Sequence, residues 1–182
     1  VVGFMPFNYF SKWTECGASL CKESPTLAAA YFEASPGTMS KLRSRHIESW
    51  SNLGLSLYKG TWKSSTLACK FFDATPGLLR SLSVSELETF VGFLDTLSHR
   101  SYDVAVECLV LGQRIFPLLG DDKETFMTLS ASLAETSWRQ VKGLFDSVKR
   151  ALPRIDSGQR PRFLALARRL HTSGCQNLPV AI

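Results

Sequence analysis

The chain lacks the features that mark most functional classes. It has no uninterrupted apolar run near the ~18 residues that a membrane-spanning helix needs. The longest candidate, Val104 to Leu119, is broken by Glu107, Gln113 and Arg114. Cysteine is present but unorganised: Cys16, Cys21, Cys69, Cys108 and Cys175 are odd in number and no two have CxxC spacing, so neither a zinc site nor a disulfide framework is encoded. The histidines His46, His99 and His171 lie far apart, without acidic or cysteine neighbours at ligand spacing. The phosphate-loop, dinucleotide, zinc-protease and serine-elbow patterns are all missing. Asp121-Asp122-Lys123-Glu124 lacks the ligand spacing and turn glycine of a calcium loop and reads as a helix cap with Glu124 in the first turn. No catalytic residue, cofactor or metal is therefore expected, and an enzyme is the least supported class.

The opening Val1–Phe7 is apolar but has no basic start and no cleavage site, so it does not read as a signal peptide. Position 1 is not methionine, which suggests a processed chain or a piece of a larger protein. Unpaired cysteines within apolar stretches read as buried small hydrophobes and point to a reducing, cytoplasmic setting. With 182 residues, 45% hydrophobic and 20% charged, the chain can bury a substantial core without a staple. It is expected to form one domain over residues 1–182.

What is present is an internal repeat. Tyr31-Phe32-Glu33-Ala34-Ser35-Pro36-Gly37 returns forty positions later as Phe71-Phe72-Asp73-Ala74-Thr75-Pro76-Gly77. Thr26-Leu27-Ala28 likewise recurs as Thr66-Leu67-Ala68, and Leu42 as Leu82. Upstream, Trp13 and Gly17 recur as Trp50 and Gly54 with a spacing of 37. The difference between the two spacings implies a loop longer by three residues around Lys59-Gly60-Thr61. A period of about 33 to 47 residues marks stacked helical repeats. Glycine within a helix costs about 1 kcal/mol relative to alanine, so Gly17 and Gly54 are expected to serve a close crossing of helix backbones. Glu33 and Asp73 are expected either to hydrogen-bond between repeats or to form an acidic ladder for a partner.

Apolar spacing of i, i+3, i+4 and i+7 predicts about nine helices. The first, near Phe10 to Cys21, stops at Ser24-Pro25, which also starts the second, ending at Ser35-Pro36-Gly37. Ser44 opens the third, with Glu48 in its first turn. Ser83 to Glu86 reads as a capping box, with Ser83 or Ser85 at the cap. The helix through Val104 and Leu111 is expected to stop before Pro117, a fourth hairpin closes at Pro153, and a last helix runs from about Pro161 to His171. His99 falls at a helix end, where it interacts favourably with the dipole. No strand is expected. Hairpins of this kind bury their apolar faces only by stacking. The fold is read as all-α, a short right-handed α-solenoid of HEAT- or TPR-like hairpins, about four and a half pairs.

Charge is uneven. Arg139, Lys142, Lys149, Arg150, Arg154, Arg160, Arg162, Arg168 and Arg169 are accompanied, from position 139 on, only by Asp146 and Asp156. This is either a solvated helix face or a surface for an anionic partner. An acidic protein segment is preferred to nucleic acid, because aromatic residues are not interleaved as stacking platforms.

The pattern Trp50-x-x-x-Gly54-x-x-Leu57, followed by Leu67-Ala68-x-x-Phe71-Phe72-Asp73-Ala74-Thr75-Pro76-Gly77-Leu78-Leu79, resembles helical repeats that precede a von Willebrand A domain in some bacterial proteins. Those proteins are akin to activators of metalloenzymes and work beside a ring ATPase. The resemblance covers Phe10 to Leu82. It implies a scaffold arm within a larger assembly and carries over no catalytic residue; the DxSxS motif of the A domain does not occur here. The reading is a non-catalytic protein–protein interaction scaffold of a bacterial protein, with no membrane association. The alternative is a nucleic-acid-binding helical repeat using the basic C-terminal region.

Overall fold

A computed structural model of the protein describes the backbone of residues 7–61 and 65–172 and the side chains of 9–61 and 65–170. Cys175, the apolar opening before Phe7 and the His171 side chain lie outside the described residues. Among the described residues all regular structure is helical: α1 (Phe7–Glu23), α2 (Pro25–Met39), α3 (Ile47–Gly60), α4 (Ser65–Leu78), α5 (Val84–Ser98), α6 (Tyr102–Leu119), α7 (Lys123–Thr136), α8 (Trp138–Ala151) and α9 (Arg160–Thr172), with short 3-10 turns between some of them. The chain divides into two compact units, residues 1–91 and 92–182.

In the first unit α1 pairs with α2 and α3 with α4, while α1 also packs on α3 and α2 on α4. Local chemistry sets the hairpins. Ser24 takes an extended backbone and its hydroxyl accepts from the Leu27 amide at 3.4 Å, with Pro25 in the first turn of α2. Ser24 alone joins α1 to α2, whereas α3 ends at Gly60 and α4 begins at Ser65; Lys59 and Gly60, expected in the longer loop, belong to the last turn of α3, and positions 62–64 lie outside the described residues. Ser83 and Glu86 make the predicted reciprocal cap at α5, with the Ser83 amide donating to Glu86 at 2.6 Å and the Glu86 amide donating to Ser83 Oγ at 3.2 Å.

The repeat is reproduced in three dimensions. Trp13 meets Phe32 edge to face at 5.0 Å and 85°, and Trp50 meets Phe72 at 5.3 Å and 85°. The Trp13 indole N–H donates to Ser35 Oγ at 2.8 Å; that of Trp50 donates to Thr75 Oγ1 at 3.2 Å. Each of those hydroxyls donates one turn back, to the carbonyl of Tyr31 at 2.6 Å or Phe71 at 2.7 Å. Tyr31 joins the two hairpins. Its hydroxyl donates to the Trp13 carbonyl at 3.3 Å, and its ring lies 4.6 Å from Trp50 and 5.6 Å from Phe72. Tyr58 and Lys41 add ties between the hairpins, donating to the carbonyls of Glu23 at 3.4 Å and Pro76 at 2.6 Å.

Three expectations are corrected. Gly17 and Gly54 do not mark a crossing of backbones; each lies under an aromatic ring. A Cβ on Gly17 would collide with Phe32 Cζ and lie 2.6 Å from Cε1, and one on Gly54 would meet Phe72 in the same way, with Cε1 and Cε2 both at 2.7 Å. The prolines do not end their helices: Pro36, Pro76 and Pro117 lie inside α2, α4 and α6. An internal proline forfeits one backbone bond and crowds the preceding turn. Here Thr38, Leu78 and Leu119 follow the prolines and are buried, so packing holds the last turn in helix. Finally, α7 is preceded by a 3-10 turn at Gly120–Asp122, and Asp122 makes no side-chain capping bond.

In the second unit α6 packs on α8, α7 on α8, and α7 on α9. Phe93, Phe145 and Phe126 form an aromatic chain, with Phe93 and Phe145 stacked at 5.9 Å and 5° and Phe145–Phe126 at 5.0 Å.

Candidate partner-binding surfaces

The basic residues gather on α8, on α9 and in the connection between them. In α8, Val141, Leu144, Phe145 and Val148 are buried, and this i, i+3, i+4, i+7 stripe turns Arg139, Lys142, Asp146, Lys149 and Arg150 to the opposite side. In α9, burial of Phe163, Leu164 and Ala167 leaves Arg162, Arg168 and Arg169 exposed.

Not all nine cations are equivalent. The Lys142 ammonium donates to both Glu107 oxygens at 2.5 Å and lies 3.6 Å from Asp146. The bond to Glu107 raises its pKa. Arg160 is half-buried, with its Nε buried and without a hydrogen-bond partner among the described residues. The Arg139 guanidinium sits over the Trp138 ring at 5.1 Å, and Arg150 Nε donates to the Asp146 carbonyl at 3.1 Å. Lys149, Arg154, Arg162, Arg168 and Arg169 are exposed along α8, the turn and α9, with Asp146 and Asp156 among them. Each exposed ion pair of this kind contributes only about 0–1 kcal/mol.

Glu33 and Asp73 are both exposed. Neither makes a hydrogen bond or ion pair among the described residues, so the repeat-to-repeat bond expected of them is not made there. The cysteines also depart from expectation: Cys108 is buried, Cys16 and Cys69 are half-buried, and Cys21 is exposed. Position within an amphipathic helix, rather than residue type, decides which thiols are covered.

A groove between α1 and α3 was not anticipated from the sequence. It is open, has a volume of about 220 Å³, and is lined by Lys12, Glu15, Cys16, Glu48, Ser51 and Asn52 among others. Lys12 and Glu48 face each other across it at 3.6 Å. Burial raises the Cys16 pKa, against the opposing hydrogen bond from Ser51, so the thiol stays protonated near neutral pH, whereas nucleophilic chemistry needs the thiolate. The polar stripes of both helices are visible in the sequence, but only the α1–α3 packing brings them together.

Arg45 Nε donates to His46 Nε2 at 3.1 Å, and His99, just past the end of α5, bonds through Nδ1 to the Asp95 carbonyl at 2.7 Å. Among the described residues no three His, Cys, Asp or Glu side chains are grouped to hold a metal, and no helix is long and apolar enough to cross a membrane. No protein-family model, curated protein or solved structure matches this chain.

Proposed function

We propose that the chain is a non-catalytic protein-interaction scaffold: a short right-handed α-solenoid of HEAT- or TPR-like hairpins, serving as an arm of a larger bacterial protein in the cytoplasm. The observation that carries this reading is the repeated Trp–Gly–Phe–Ser/Thr arrangement, in which Tyr31 of one hairpin seats on Trp50 and Phe72 of the next. Residues spent on holding hairpins in register leave the outer helix faces free to vary, and stacked repeats use such faces as extended binding surfaces. Packing of α6 on α8 and α7 on α9 supports the same stacking rule in the second unit. The partner surface is the exposed cation set of α8 and α9, and the partner is an acidic polypeptide segment.

The test is fluorescence anisotropy with a labelled Glu/Asp-rich peptide and, in parallel, a labelled DNA duplex and single strand. The scaffold reading expects peptide binding that is lost in the Arg162→Glu, Arg168→Glu, Arg169→Glu triple variant while helicity is unchanged. Nucleic-acid binding that falls steeply with salt, as counterion release requires, with no binding of the peptide, would replace it with the nucleic-acid reading. Peptide binding untouched by the triple change would exclude this surface.

A further inference from the structure

The two copies of the repeat differ in one respect. In the second, the Trp50–Phe72 pair receives the Tyr31 ring, and its members are 1% and 0% exposed. In the first, Trp13 and Phe32 form the same edge-to-face pair over the equivalent glycine, Gly17. There Phe32 is 37% exposed and Trp13 half-exposed. Among the described residues no ring from another hairpin lies on Phe32. Phe10 leans on Trp13 at 5.7 Å, is itself 41% exposed, and widens the patch. Among the described residues, therefore, the receiving half of the hairpin-to-hairpin joint is built twice and filled once.

The filled copy says what fits the open one. Tyr31 is presented from a helix, α2, in the run Leu27-Ala28-x-x-Tyr31-Phe32. Alanines beside the aromatic let the helix approach closely, and the ring makes the contact. We propose that the Phe10–Trp13–Phe32 face docks a helix of a partner protein that presents a tyrosine or phenylalanine in the register Tyr31 holds on α2. A second copy of this chain does not fit as a head-to-tail occupant, because its own ring-bearing faces are spent: Tyr31 and Phe71 are both 0% exposed. Recognition is helix-in-groove, with one aromatic anchor supplying most of the selectivity. The docking face shares no residue with the basic surface of α8 and α9.

The probe is a labelled peptide with the sequence of residues 24–40, held helical by a hydrocarbon staple between positions 29 and 33, both exposed in α2. Binding to the full chain is followed by anisotropy. We expect saturable binding that weakens about tenfold or more when the tyrosine of the peptide is changed to alanine, the effect of losing a buried aromatic anchor. Phe32→Ser in the protein should weaken it comparably without altering the circular dichroism. The peptide variant leaves the protein intact, so the result does not depend on Phe32→Ser folding. No binding at about 1 mM, an affinity too weak for a specific site, or equal binding by the alanine peptide, would overturn the proposal. So would binding that emerges only after residues 1–6 are deleted, which would make this chain's own N-terminus the occupant. A dimer in solution that Phe32→Ser dissociates would make a second copy the occupant and refute it equally.

Discussion

The glycine-under-ring arrangement yields an asymmetric prediction from two symmetric changes. Gly→Ala within a helix normally adds about 1 kcal/mol of stability. At Gly54 the new methyl would overlap the Phe72 ring, with Cε1 and Cε2 at 2.7 Å. That ring cannot retreat, because Trp50, Tyr31 and Phe71 hold it at 5.3, 5.6 and 5.6 Å and none of its surface is exposed. Overpacking a closed core costs about 1–3 kcal/mol, occasionally more, and a displacement of this size belongs at the upper end. Gly54→Ala should therefore destabilise by about 2 kcal/mol net, a fall of about 1 M in the urea midpoint for an m-value in the usual range. At Gly17 the opposing Phe32 ring is 37% exposed and can swing outward, losing an aromatic contact worth about 0.5–1.5 kcal/mol. Gly17→Ala should be near neutral. Urea unfolding followed by circular dichroism measures both. In a Phe72→Leu background the clash is removed and Gly54→Ala should turn neutral or stabilising, a coupling that a double-mutant cycle reads directly. A Gly54→Ala variant no less stable than Gly17→Ala, or a cost that persists unchanged in the Phe72→Leu background, would refute the clash with the ring as its cause.

Further outcomes follow from other contacts. Thr75→Val leaves the buried Trp50 N–H without its acceptor and should cost about 1–3 kcal/mol, whereas Ser35→Ala beside half-exposed Trp13 should cost less, since water can replace the lost partner; thermal melts rank the two. Ser83→Ala breaks the reciprocal cap of α5 and should cost about 1 kcal/mol, read as a lower urea midpoint. Burial raises the pKa of Cys108 above its ordinary 9.0 and that of Tyr31 above 10.0. The folded state thus keeps protons that the unfolded state releases, so stability is fully present below pH 9 and falls above it, by up to about 1.4 kcal/mol per pH unit for each group; Cys108→Ala should flatten the decline that begins near pH 9. With a thiol-reactive disulfide reagent at neutral pH, exposed Cys21 should react before half-buried Cys16 and Cys69, and Cys108 only on unfolding.

Much of the first unit was legible because its chemistry is local or periodic. Ser24-Pro25 and Ser83…Glu86 announce helix starts through bonds within four residues. The pairing of Trp13 with Phe32 and of Trp50 with Phe72 could be suspected from two constant spacings. The later hairpins lack that echo, and only their apolar stripes were readable. The candidate surface was legible in composition but not in availability: nothing at position 142 shows that Glu107, 35 residues away, holds its charge.

By itself, then, the sequence determined the helices, their order and the equivalence of two hairpins, because helix periodicity and capping depend on neighbours along the chain. Only the tertiary structure decided that the recurrent glycines seat aromatic rings, that helices run on through Pro36, Pro76 and Pro117, and that Phe32 lies open where Phe72 is covered. Those outcomes depend on which surfaces meet, and identical local chemistry ends differently when a neighbouring hairpin supplies a ring on one side and none on the other.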